Sequence, residues 1–153
     1  MLIEILDGET RVVDVKTLFT EYAASLGIDL GYQNFDDEFA SLPGKYARPY
    51  GRLYLAFVDG ALAGCIAMRK LNETRAEMKR LYVRPIFRGA KLGLALVTKV
   101  IEDAREIGYC ELVLDTLATM NRAQDLYRGL GFVETQAYYD TPVEGTMFLR
   151  LAL

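Results

Sequence analysis

The sequence contains no histidine. That absence removes the Ser-His-Asp and Cys-His nucleophilic devices and the common zinc sites, so acid–base chemistry must fall to carboxylates, tyrosine, lysine or water. Cysteine is scarce as well: Cys65 and Cys110 are the only two, each inside an apolar run (AGCIAM and YCELVL) and neither in a metal-type spacing. Both read as core thiols, and no metal is expected. No stretch reaches the roughly 18 uninterrupted apolar residues of a membrane helix, and the opening MLIEILDGET lacks the basic flank and long apolar run of a secretory signal. The expectation is a cytoplasmic protein without a membrane partner. Basic residues are not in excess either: 18 Lys and Arg stand against 21 Asp and Glu, for a net charge of -3. Nucleic-acid binding, which draws its affinity from a concentrated basic face, is therefore not expected, whereas a small anion held locally is compatible.

What the chain does have is apolar residues, 52% of 153, enough to bury the core of one domain spanning 1–153 without disulfides. Leu2 to Leu6 reads as a short strand. Val15, Leu18, Phe19, Tyr22 and Leu26 then recur at helical spacing up to Gly27, a left-handed cap. From Ile28 to Gly51 the chain is irregular and aromatic. Within it, Phe35, Phe39 and Leu42 share one face of a short helix that has Asp36, Asp37 and Glu38 in its first turn and Pro43 beyond its end. Tyr32, Phe35, Tyr46 and Tyr50 make this segment a lid or pocket wall rather than a linker.

RLYLAFV, Asp59-Gly60 and ALAGCIAMRKL form two strands joined by a tight hairpin, apolar on both faces and therefore central in a covered sheet. TRAEMKRLYV adds a third antiparallel strand. After Pro85, a glycine-bearing loop leads into a helix from Leu92 to Ile107, closed by Gly108. CELVLDT follows as a strand, and the helical crossover makes it a parallel neighbour of the strand ending at Val83. Asn121 to Leu130 is a short helix, and FVETQAYY and TMFLRLAL close the chain as a pair of strands around a turn at Pro142. The fold class is α/β (α+β): a mixed, mostly antiparallel central sheet of about six to seven strands with helices on both faces. Edge strands at the C-terminal end leave a homodimer open.

The informative stretch is EMKRLYVRPIFRGAKLG, Glu77 to Gly93: a strand, a loop whose backbone N–H groups can curl around an anion, and a helix aiming its positive end at the same place. Ala90-Lys91-Leu92 does not supply the Gly-Lys-Ser/Thr of a P-loop, and Gly89 and Gly93 alone do not make the G-x-G-x-x-G of a dinucleotide fold.

These residues resemble the acetyl-CoA motif of the GCN5-related N-acetyltransferases, in which a strand ending hydrophobic-x-V-x-P leads into Arg/Gln-x-x-Gly-x-Gly/Ala and a helix. Leu81, Val83 and Pro85 match the approach, and Arg88 and Gly93 match the first and last loop positions. A second stretch, ATMNRAQDLYRGLGF, is similar to the family's later signature through Asn121, Ala123, Tyr127, Gly131 and Phe132. One position departs: Lys91 stands where the family usually has glycine, and a positive φ there would cost about 1 kcal/mol.

The resemblance implies a single-domain fold of this family with a parallel strand pair splayed at the cofactor site, and acetyl-CoA as co-substrate. It also implies acetyl transfer to a primary amine, of a small molecule in the reading preferred here, by direct attack. A non-catalytic acyl-CoA-binding or sensing domain and a protein N-acetyltransferase are the alternatives. Leu81, Tyr82, Val83, Arg88, Gly89, Ala90, Lys91, Leu92 and Gly93 would hold the cofactor, with Asn121 either bonding its pantetheine arm or capping a helix. An amine with a pKa of about 10.4 must lose a proton before attack. Glu77 stands where the family's water-mediated base stands; the other reading is a strand charge paired with Lys79 or Arg75. Tyr127 matches the family residue that donates to the leaving sulfur, against simple helix packing. A backbone N–H near Val83 would face the developing oxyanion. Asp36, Asp37 and Glu38 either draw a cationic acceptor or complement a helix N-terminus.

Overall fold

The computed structural model describes residues 1–153. In chain order the elements are β1 (Ile3–Asp7), α1 (Val12–Leu26), a 3-10 turn (Leu30–Gln33), α2 (Phe35–Ser41), β2 (Arg52–Val58), β3 (Ala61–Lys70), β4 (Arg75–Val83), α3 (Leu92–Ile107), β5 (Glu111–Thr116), α4 (Asn121–Gly129), β6 (Val133–Thr135) and β7 (Met147–Ala152). All seven strands join one sheet in the order β1-β2-β3-β4-β5-β7-β6. Every neighbouring pair is antiparallel except β4 and β5, which the α3 crossover makes parallel. The β2–β3 hairpin turns on Asp59 (φ 49°) and Gly60 (φ 82°), both in the left-handed region that a two-residue turn between right-twisted strands requires.

Alternation along the central strands fills both faces. Leu96, Val97 and Val100 of α3 pack on Ala56, Ile66 and Met78 on one face, while Val15, Leu18 and Phe19 of α1 pack on Leu55, Cys65 and Ala67 on the other. No helix is long and apolar enough to cross a membrane.

Two sequence expectations are corrected. Cys65 is buried, but Cys110 is exposed. Its backbone is tied on both sides, its N–H to Thr74 O and its carbonyl to the N–H of Leu153, just before β5 begins, and Tyr109 takes the buried position instead. The FVETQAYY strand is also shorter than its apolar pattern suggests, since β6 stops at Thr135. Tyr138 and Tyr139 then leave the sheet edge and pack edge-on against Phe148 of β7.

The feature that shapes the site is a bulge in β4. Tyr82 pairs with Cys65 and Lys79 with Ala67, so Arg80 and Leu81 together oppose Ile66. Arg80 takes φ 62°, a left-handed conformation rare for a side chain of its size. The parallel ladder to β5 runs from Arg75↔Glu111 only as far as Glu77↔Val113. Beyond that register the two strands part, and a gap opens through the sheet.

Candidate active site

Two adjoining hollows occupy this gap. The outer one is a cleft of about 710 Å³ between the loop after β4 and the N-terminus of α4. The inner one is a narrow hollow of about 30 Å³ within the splay. Tyr22, Leu26, Leu81 and Met120 line both, so the two adjoin.

The outer cleft is built by the chain leaving β4. Pro85–Phe87 form a single 3-10 turn, Gly89 takes φ 99°, and Lys91 takes φ 60° as the N-cap of α3. No backbone N–H of Gly89, Lys91, Leu92, Gly93 or Leu94 is hydrogen bonded within the chain. Five unpaired donors and the positive end of a sixteen-residue helix thus line one cleft. Gly93 permits this closeness: a Cβ there would stand 3.3 Å from Leu126 of α4.

Lys91 does adopt the conformation that usually calls for glycine. The strain of about 1 kcal/mol is nearly offset by the unfolded-chain entropy that lysine removes relative to glycine, about 0.4–1 kcal/mol. Lys91→Gly is therefore expected to change unfolding stability by less than about 1 kcal/mol in urea titration. A gain well beyond that would mean that the loop is strained by more than its φ angle.

Of the expected cofactor residues, Leu81, Tyr82, Val83, Arg88, Gly89, Lys91, Leu92, Gly93 and Asn121 line the cleft, whereas Ala90 packs on the core beneath it. Tyr82 donates to Glu21 at 3.3 Å, which also holds Arg84. Arg88 and Lys91 are exposed, and the Arg88 guanidinium donates to Val83 O at 3.1 Å. Asn121 does not cap α4, whose N-cap is Met120 without a side-chain hydrogen bond. Asn121 lines the cleft instead. The backbone expected near Val83 shifts inward: Val83 lines the cleft alone, and Leu81 lines the junction.

The inner cavity takes residues from both faces of the sheet because it lies in a gap between strands. Met78, Leu81, Thr116 and Tyr127 come from the α3 side, and Tyr22, Lys79, Arg80 and Asp115 from the α1 side. Tyr127 is 5% exposed, and its hydroxyl has no hydrogen-bond partner in the chain. Burial pushes its phenol well above the ordinary value, so the hydroxyl keeps its proton. The Thr116 hydroxyl is likewise buried without a partner.

The structure does not bring Glu77 into this cavity beside Tyr127. Glu77 is 2% exposed, receives Arg69 Nε at 2.8 Å on one oxygen and the Tyr138 hydroxyl at 2.6 Å on the other, and lies 4.0 Å from Lys79 Nζ. The carboxylate on the cavity wall is Asp115, two residues beyond the last paired position of β5. It accepts from the Tyr139 hydroxyl and from Gln33 Nε2 at 3.5 Å. Burial raises its pKa, only partly countered by the Tyr139 hydrogen bond.

The irregular segment does supply a wall, through fewer residues than its aromatics suggest. Tyr32 and Gln33 reach the cavity. Tyr46 is wholly buried, Phe35 packs against Phe19 and Phe39, and Tyr50 is exposed over Lys70. Glu38 leaves the acidic surface expected of it: it is buried, and Arg80 clamps it with bonds of 2.9 and 3.0 Å. Arg80 also donates to Gln33 Oε1 at 2.7 Å and lies over the rings of Tyr22 and Phe35. One guanidinium at the bulge thereby fixes the turn and α2 onto the sheet. Asp115, Gln33, Tyr139 and Lys79 were not singled out as site residues by sequence reasoning. Asp115 stands at the end of the strand predicted to run parallel to β4, which is the one signal that pointed to it.

The chain is similar in sequence and fold to known acetyltransferases. The model of the acetyltransferase (GNAT) family matches residues 15–132. An uncharacterised N-acetyltransferase of Schizosaccharomyces pombe is 42% identical over 142 residues, covering 92% of this chain and 87% of its own. The crystal structure of a GNAT-family acetyltransferase from Staphylococcus aureus superposes with a TM-score of 0.81 at 20% identity over 99% of both chains. A GNAT-family acetyltransferase from Elizabethkingia anophelis, solved with acetyl-CoA bound, superposes with a TM-score of 0.59 at 25% identity over 67% of this chain and 76% of its own.

Proposed function

The chain belongs to the acetyltransferase (GNAT) family and is an acyltransferase, and we propose that it transfers the acetyl group of acetyl-CoA to a primary amine of a small molecule by direct attack. The observation that carries this reading is that cleft and cavity adjoin at Leu81 and Met120, with Tyr127 and Asp115 on the walls of the inner chamber. Bound in the cleft, acetyl-CoA would supply the acetyl group and leave as a thiolate.

The residues present fit it. The five free N–H groups from Gly89 to Leu94 match a pyrophosphate, and the charges of Arg88 and Lys91 stand beside them. The Asn121 amide suits the amide-bearing pantetheine arm. Leu81 offers backbone where the strands part, at the position that charge developing on the thioester oxygen would occupy.

The incoming amine meets Asp115, whose half-buried carboxylate accepts the proton, directly or through one water, as the bond to the acetyl carbon forms and the nitrogen becomes acidic. Glu77, the base that the family resemblance puts forward, would act from behind Lys79 and Tyr138; Asp115 is the carboxylate we assign. At the other end of the reaction Tyr127 faces the sulfur. Full transfer from a phenol held above its usual value to a thiolate, whose conjugate thiol has a pKa of about 8.5, runs uphill. Its part is a hydrogen bond that strengthens as the thiolate forms.

The inner cavity is walled by Tyr32, Gln33 and Leu30 of the 3-10 turn, which supports a small acceptor over a polypeptide. We further place the protein in the cytoplasm. A homodimer through the β6 edge belongs to the same reading, and light scattering would then give twice 17.2 kDa.

The test is release of CoA thiol from acetyl-CoA across a panel of amines. With any accepted amine, Tyr127→Phe should lower kcat about 10- to 100-fold and leave the KM for acetyl-CoA within a few-fold. Unchanged turnover would show that the sulfur leaves without help from this residue.

A further inference from the structure

Lys79 has no part in the chemistry above, yet it is the most unusual charge in the cavity. Its side chain is 8% exposed, and its ammonium makes no hydrogen bond within the chain. The nearest carboxylate, that of Glu77, lies 4.0 Å away and is already occupied on one oxygen by Arg69 and on the other by Tyr138. Burial, reinforced by the charge of Arg80, brings the Lys79 pKa down to about 8, so the group is still mainly protonated at neutral pH. A buried ammonium with three donors and no acceptor is costly to keep unless something supplies one.

The other charges of the cavity are accounted for differently. Arg80 spends its guanidinium on Glu38 and Gln33. Asp115 is held in place by Tyr139 and Gln33 and keeps its negative charge toward the cavity. One unsatisfied cation and one carboxylate are therefore left. They stand at matching places on β4 and β5, each two residues past the last paired register, Glu77↔Val113, and on the same face of the sheet.

From this arrangement we infer that the acceptor is an amino acid, whose carboxylate is held by the Lys79 ammonium while its amine lies at Asp115. The inference rests on the reading of the cavity as the acceptor site of acetyl transfer and adds the substrate class. Opposite charges on facing strands match a zwitterion, whereas a simple amine at Asp115 leaves the donors of Lys79 unpaired. Lys79 thereby determines specificity and takes no part in the proton transfer.

The experiment pairs each common L-amino acid with the amine of the same side chain lacking the carboxylate, using the full chain and acetyl-CoA and reading CoA thiol release. Hydrogen bonds to charged groups correspond to about 10- to 100-fold, and a preference of that size in kcat/KM is expected for the amino acid over its partner. In Lys79→Met the preference should fall to near one through a raised KM for the amino acid, and Lys79→Arg should retain part of it. Folding of both variants is checked first by their melting shift with acetyl-CoA, which reports on the outer cleft. Equal or better use of amines without a carboxylate, a preference that survives Lys79→Met, or no accepted amino acid would each overturn the inference. If other amines are acetylated in those cases, the acetyl-transfer reading stands without it. If acetyl-CoA is neither bound nor consumed with any amine, both fall.

Discussion

Asp115→Asn should lower kcat with an accepted amine by about 10²- to 10⁴-fold, the range for loss of a positioned general base. Glu77→Gln should cost less than about tenfold, because Glu77 is occupied by Arg69 and Tyr138 and does not line the cavity. The pH profile separates the two further. Burial raises the Asp115 pKa, so the wild-type kcat/KM should climb along a limb lying above the ordinary aspartate value of about 3.9, and the variant should lack that limb.

The same shift fixes the sign of the stability change. A carboxyl whose folded pKa is raised binds a proton on folding, so its contribution is present below the unfolded pKa and lost as pH rises through the folded one. At neutral pH the charged Asp115 is a cost, and the neutral asparagine should melt at or above the wild-type temperature. An inactive variant that is not destabilised separates chemistry from folding. Should Glu77→Gln show the deep loss and Asp115→Asn a shallow one, the family's expected base would be restored and the assignment made here overturned.

The second large effect is on stability. Arg80 and Glu38 form an almost fully enclosed pair, with side chains 1% and 3% exposed and two hydrogen bonds between them. Removing one partner leaves the other charge buried, at a cost of about 3–5 kcal/mol. Arg80→Met should therefore lower Tm by about 10 °C, at roughly 2–4 °C per kcal/mol for a chain of this size. The loss should exceed that of a surface pair such as Lys70 with Glu73, worth about 0–1 kcal/mol. Burial alone would raise the Glu38 pKa, but the hydrogen bonds and charge of Arg80 hold it below the ordinary range. The pair's contribution is thus present above the unfolded glutamate pKa and lost as pH falls through the folded one. Acid titration of the melting temperature should show that loss in the wild type and not in Arg80→Met. A variant as stable as the wild type would mean that the gain from relaxing the φ 62° bulge outweighs the buried charge.

These predictions turn on residues that differ in how well the sequence announces them. The order of elements, the parallel β4–β5 pair and the loop from Arg88 to Gly93 were legible because they depend on local chemistry: apolar period, turn residues, and a glycine, Gly89, where φ is positive. The places of Tyr127 and Asn121, on the walls of the hollow and the cleft, followed from a motif of fixed spacing. The bulge was not legible, because nothing in KRLYV sets Arg80 apart as the residue to take a positive φ. Everything downstream of the bulge was lost with it. That includes where the strands part, which side of the gap Lys79 and Asp115 face, and the pairing of Arg80 with Glu38 from 42 positions away. Tyr138 and Tyr139 were misread for a related reason, since alternating apolar residues continue past the point where β6 ends. Cys110 shows the limit of composition: an apolar neighbourhood in sequence does not say which way the residue before a strand faces.

The central claim is that the loop after β4 and the adjoining cleft hold acetyl-CoA. Thermal melting of the purified chain with acetyl-CoA, with ATP and NADH as controls, tests it most directly. A ligand at about 100 times its dissociation constant adds about 2.7 kcal/mol, which corresponds to a rise in Tm of about 5–10 °C. The account predicts that rise with acetyl-CoA and none of comparable size with ATP or NADH. No shift at millimolar acetyl-CoA, or an equal shift with ATP, would contradict it.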